Sequence, residues 1–184
     1  MFIHIENTPN PNAMKFLTGT FISPERPLHF NNVDEAKERS SLAFKLFSIE
    51  SVKSVFFGSD FITITKYEEP NCDRLETVIS NIIVDYISSN LEIFDKQYRD
   101  QLDFNNINIS EIEKQIIEII ESRVRPSVAM DGGDIIYRGF ANGIVTLELR
   151  GACAGCPSST MTLKDGIESM LKHFVPEVES VEAI

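Results

Sequence analysis

Ile135-Ile136-Tyr137-Arg138-Gly139-Phe140-Ala141-Asn142-Gly143-Ile144-Val145-Thr146-Leu147-Glu148-Leu149 reads as two β-rich runs around an Asn-Gly step. Asn and Gly tolerate the positive φ that a tight turn between twisted strands requires, so Asn142-Gly143 predicts a β-hairpin. Upstream, Ser110 stands three residues before Glu113, a capping-box spacing, and Ile112, Ile116, Ile119, Ile120 and Val124 recur on one helical face. Pro126 is expected to end that helix. Downstream, the second strand runs into Gly151-Ala152-Cys153-Ala154-Gly155-Cys156-Pro157-Ser158-Ser159, and Leu163, Ile167, Met170, Leu171 and Phe174 mark an amphipathic helix. Val178 to Ile184 is expected to add a last strand. Residues 110–184 are thus predicted to fold in the order α-β-β-α-β.

The remainder reads as a second small α+β domain over residues 1–91, joined by a linker over 92–109 that is rich in Asp, Asn and Gln and lacks sustained periodicity. Phe2-Ile3-His4-Ile5 and Met14-Lys15-Phe16-Leu17 predict strands around the Thr8-Pro9-Asn10-Pro11-Asn12 loop, whose prolines have no N–H for a ladder. One helix is expected from Asp34 to about Phe47. Val52–Phe57 and Phe61–Thr65 predict a hairpin across Gly58-Ser59-Asp60, and Leu75, Ile79, Ile82, Ile83 and Tyr86 a further helix.

The formal net charge is -11, spread as sixteen acids against ten bases in 1–108 and twelve against seven in 109–184. Such a surface repels phosphate, so nucleic acid is not an expected partner. The longest apolar runs, such as Val78-Ile79-Ser80-Asn81-Ile82-Ile83-Val84, fall well short of the roughly 20 residues of a membrane span, and no membrane association is expected. An odd count of three cysteines suits a reducing compartment. The amino terminus lacks the features of a signal or transit peptide, which implies the bacterial cytoplasm, or the mitochondrial matrix if a presequence has been removed.

Cys153 and Cys156 are the candidate metal and cofactor ligands. Their C-x-x-C spacing lets two thiolates face one centre, whereas an iron-sulfur cluster or a structural zinc wants four donors. His173 lies 17 residues beyond Cys156, about 25 Å away along a helix, so the missing ligands would come from a second molecule. Pro157 suits the first helical position, which makes Cys156 the N-cap and places both sulfurs at a positive helix end that stabilises thiolates. Three chemistries remain open for the pair: a cluster shared between molecules, thioredoxin-like dithiol exchange with Cys153 attacking from a position nearer solvent, and zinc or an inert pair. The other candidates have plainer readings. Cys72 is a lone surface thiol; His4, His29 and His173 are structural or surface residues. Asp131-Gly132-Gly133-Asp134 is a turn feeding the hairpin, and Phe56, Phe57 and Phe61 belong to a core.

Gly151-Ala-Cys-Ala-Gly-Cys-Pro-Ser-Ser-Thr160-Met-Thr-Leu-Lys-Asp-Gly166, with Val124-Arg-Pro-Ser-Val-Ala-Met-Asp-Gly-Gly-Asp134 upstream, resembles the carboxyl-terminal domain of the NifU and Nfu proteins. Thr8-Pro-Asn-Pro-Asn12, Lys15-Phe16 and Val55-Phe-Phe-Gly-Ser-Asp-Phe-Ile-Thr-Ile-Thr-Lys66 resemble the Nfu amino-terminal domain. That domain commonly has a tryptophan near the start of its second helix, whereas this chain has no Trp and places Cys72 in that neighbourhood. The resemblance implies a non-enzymatic iron-sulfur scaffold or carrier in which a [4Fe-4S] cluster is bridged between two subunits by Cys153 and Cys156 of each. It implies a homodimer when cluster-bound, upstream cluster donors, and apo iron-sulfur proteins as clients. A third reading, beside the carrier and dithiol exchange, treats the amino-terminal segment as a separate protein-interaction module that selects clients or donors.

Overall fold

The computed structural model describes residues 3–23, 27–68, 74–89, 91–94, 110–154 and 157–184, except for the side chains of 157–160 and 162. Contacts divide the chain into two compact units, Met1–Asn105 and Asn106–Ile184. Both are α+β.

The first unit carries β1 (His4–Asn7), β2 (Ala13–Leu17), β3 (Leu28–Phe30), α1 (Val33–Arg39), α2 (Ser41–Phe47), β4 (Val52–Phe57), β5 (Phe61–Lys66) and α3 (Leu75–Ser88). The strands form one antiparallel sheet in the order β1-β2-β5-β4-β3. Phe16, Val55, Phe57, Ile62 and Ile64 from the sheet pack with Leu42, Leu46, Ile79 and Ile83 from the helices. Phe56, Phe57 and Phe61 are all buried, which meets the core expectation. Gly58 is required where it stands, because a Cβ there would lie 2.3 Å from the Phe61 ring.

Two sequence expectations are corrected in this unit, and one strand was not anticipated. The first strand begins at His4 rather than Phe2, which lies outside the described residues. Leu28–Phe30 forms an unanticipated edge strand on β4. The single helix expected from Asp34 to Phe47 is two helices, broken at Ser40, whose φ of -153° and ψ of 114° are extended. Ser40 is fully buried; its Oγ accepts the Ala43 N–H at 3.2 Å and donates to the Ile93 carbonyl at 2.6 Å. A buried hydroxyl satisfied twice in this way offsets the loss of one helical turn.

The second unit runs α4 (Glu111–Ile119), a π-helical turn (Ile120–Val124), α5 (Arg125–Met130), β6 (Gly133–Ala141), β7 (Ile144–Gly151), α6 (Pro157–Phe174) and β8 (Ser180–Ala183). This is the expected α-β-β-α-β order. The hairpin turns at Asn142 and Gly143, with φ of 52° and 76°, and β8 joins β7 in parallel. Ser110 and Glu113 form the expected capping box. Ile116, Ile120, Val124, Ile135, Val145, Leu147, Leu149, Ile167 and Leu171 make the core. Phe174, assigned to the same apolar face, is instead exposed, with the Arg123 guanidinium 4.5 Å from its ring centre.

Pro126 does not end the first helix. The preceding turn widens to a π-helix in which the Arg125 N–H bonds to the Ile120 carbonyl, five residues back, and the chain continues helical through Pro126 to Met130. A wider turn relieves the clash between the proline ring and the preceding turn and absorbs its missing donor.

Candidate functional site

The cysteine motif begins where β7 stops. Gly151 takes φ of 64°, a left-handed conformation open to glycine, and turns the chain out of the sheet. The Ala152 N–H donates to the Gly132 carbonyl at 3.1 Å and the Ala154 N–H to the Gly151 carbonyl at 3.1 Å, so backbone bonds on both sides fix Cys153. Cys153 is 6% exposed and packs with the core of the second unit. Opposite it lies Gly133, paired with Gly151 at the end of the β6–β7 ladder. A Cβ at 133 would fall 2.6 Å from the Cys153 sulfur and 2.8 Å from the Arg150 carbonyl oxygen.

The Asp131–Asp134 segment is the turn the sequence suggested: Asp131 caps α5, Gly132 has φ of 81°, and β6 starts at Gly133. It carries more than a turn. The Asp134 side chain is 3% exposed, and its two oxygens accept Arg125 Nε at 2.7 Å and Nη2 at 3.3 Å. Arg125 Nη1 also reaches Glu121. Burial alone would lower the Arg125 pKa, but Asp134 and Glu121 outweigh it and raise the value above the ordinary one. Sequence reading missed this pair, because nothing in the spacing of Arg125 and Asp134 marks them as partners.

α6 begins at Pro157 as expected, while Cys156 and its N-cap role lie outside the described residues, as does Cys72. His4 is exposed on β1, His29 sits half-buried on β3 edge-on to Phe56, and His173 packs against Phe174 at the far end of α6 from Pro157. Among the described residues, no three His, Cys, Asp or Glu side chains converge on a point that would hold a metal ion.

Comparison with known proteins gives the chain its relatives. Residues 3–90 match the family described as scaffold protein Nfu/NifU N terminal, and 116–182 match the NifU-like domain. The whole chain is 44% identical to a human protein named "NFU1 iron-sulfur cluster scaffold homolog, mitochondrial", of which it covers 72%. The chain belongs to the Nfu family. A Drosophila ananassae relative of the same name is 39% identical over the whole chain, which spans 64% of that relative's length. A solution structure of a NifU-like protein from Saccharomyces cerevisiae superposes with a TM-score of 0.47 at 25% identity, over 52% of this Nfu chain and 86% of that one.

Proposed function

We propose that this Nfu chain is a scaffold and carrier of iron-sulfur clusters rather than an enzyme. Two copies hold one [4Fe-4S] cluster as cargo through Cys153 and Cys156 of each and pass it to apo-proteins by thiolate exchange. The observation that carries the reading is the placement of Cys153 at the strand end that leads into α6, in a chain whose relatives bear the name iron-sulfur cluster scaffold. Soft thiolates near a helix start suit an anionic iron-sulfur cargo, and two sulfurs per copy leave half of a four-cysteine site to a second copy. The division into a 1–91 domain, a 92–109 linker and a 110–184 cluster-binding domain accords with family matches at 3–90 and 116–182. Relatives named as mitochondrial favour the matrix over the bacterial cytoplasm. The partners are cluster donors and apo-protein clients; the net charge of -11 disfavours nucleic acid. No described helix is long and apolar enough to cross a membrane.

The burial of Cys153 weighs against dithiol exchange, which needs an accessible attacking thiolate. Anaerobic reconstitution with iron and sulfide, followed by metal analysis and native mass, decides between the two. A dimer with about two irons and two sulfides per chain is expected, and Cys153→Ser or Cys156→Ser should drop bound iron to background. A metal-free chain that cycles cleanly between dithiol and disulfide would sink the scaffold reading.

A further inference from the structure

Asp131-Gly132-Gly133-Asp134 runs beside the start of the cysteine motif, where Gly133 pairs with Gly151 and Asp134 with Arg150. Gly132 supplies the carbonyl that holds Ala152, and Gly133 supplies the bare Cα on which the Cys153 sulfur rests. No side chain fits between them, since a Cβ at 133 would stand closer to both the sulfur and the Arg150 carbonyl than real Cβ atoms come. The next residue, Asp134, is buried and gripped at both oxygens by Arg125. A two-point guanidinium–carboxylate fork sets orientation as well as distance. Arg125 is the first residue after the π-helical turn, and an extra residue in a turn rotates all that follows by about 100° relative to an unbroken α-helix. Such turns recur beside functional sites.

We propose that Gly133 and the Arg125–Asp134 pair are positioning elements for the Cys153 sulfur: the ion pair pins the start of β6, and the pinned glycine sets where the thiolate stands. The proposal rests on Cys153 being a cluster ligand. It gives the π-helical turn a role, as the device that aims Arg125 at Asp134, and gives the second glycine one that a turn alone does not demand.

The test compares full-length wild type with Gly133→Ala, Asp134→Asn and Arg125→Lys. Without iron, the rate of iodoacetamide alkylation is read at each cysteine by peptide mass spectrometry; after anaerobic reconstitution, the visible circular dichroism of the cluster is recorded. Displacing the sulfur from its glycine seat should speed alkylation of Cys153 at least about fivefold in Gly133→Ala and about twofold in Asp134→Asn, leaving Cys72 unchanged. Arg125→Lys keeps the charge but loses the fork, and should fall between wild type and Asp134→Asn. The visible dichroism should change shape in the first two variants. Wild-type reactivity and wild-type dichroism in the folded variants would overturn the proposal, and so would equal acceleration at Cys72 and Cys153, which reports general loosening. If Gly133→Ala does not fold, Asp134→Asn, which preserves side-chain size, decides the matter. A wild type that takes no cluster removes the scaffold reading but leaves the alkylation comparison intact.

Discussion

Glu113 closes two contacts with one carboxylate. Oε2 accepts the Ser110 N–H at 2.9 Å and hydroxyl at 2.8 Å, and Oε1 accepts the Tyr137 hydroxyl at 2.8 Å, tying the start of α4 to β6. The Ser110 bonds, then the Tyr137 bond, hold its pKa below the ordinary 4.5, while burial and then Glu113 push the Tyr137 phenol up. A carboxylate with a depressed folded pKa stabilises the fold above its ordinary titration range, and that contribution is lost as pH falls through the lowered value. Glu113→Gln should therefore melt below wild type at neutral pH, and the gap should close as pH falls below about 4.5. Thermal melts by circular dichroism across that range check this, and a gap independent of pH would contradict it. At the same scale, Cys72→Ser should leave the iron content of the reconstituted protein unchanged; a loss would show that the third cysteine belongs to the site.

Elements differ in how far their causes lie along the chain, and that distance decides what was legible. The β6–β7 hairpin was readable because its cause is local: Asn142 and Gly143 occupy positive φ, and a Cβ on Gly143 would also meet Glu179 Cγ at 2.7 Å. Gly143→Ala should cost about 1–2 kcal/mol of stability by denaturant titration. The break between α1 and α2 was not readable, because the Ser40 hydroxyl takes its second partner from Ile93, 53 residues on. Ser40→Ala removes a cap and orphans a carbonyl, and should cost about 1–3 kcal/mol, read in the same way. Pro126 misled for a related reason. Proline chemistry forbids a regular interior turn but not a π-helical one, and the choice follows from packing Ile120, Val124 and Val128 together in the core.

At the scale of the whole molecule, ligand arithmetic governs. One chain offers two sulfurs in the motif, so loading should couple to association: native mass should show a dimer with cluster and a smaller species after chelation removes the iron. A loaded chain that keeps the monomer mass would exclude a shared cluster. The sequence alone determined the α-β-β-α-β order, the hairpin turn, the α6 start at Pro157, the cysteine spacing and the family, because each depends on residues close together in the chain or on a motif carried whole. Only the tertiary structure decided that Cys153 is buried against Gly133, that Arg125 grips Asp134, and that the helices break at Ser40 and widen before Pro126. Those outcomes are contacts between segments, set by shape and by the need to pair every buried polar group, and no local pattern encodes them.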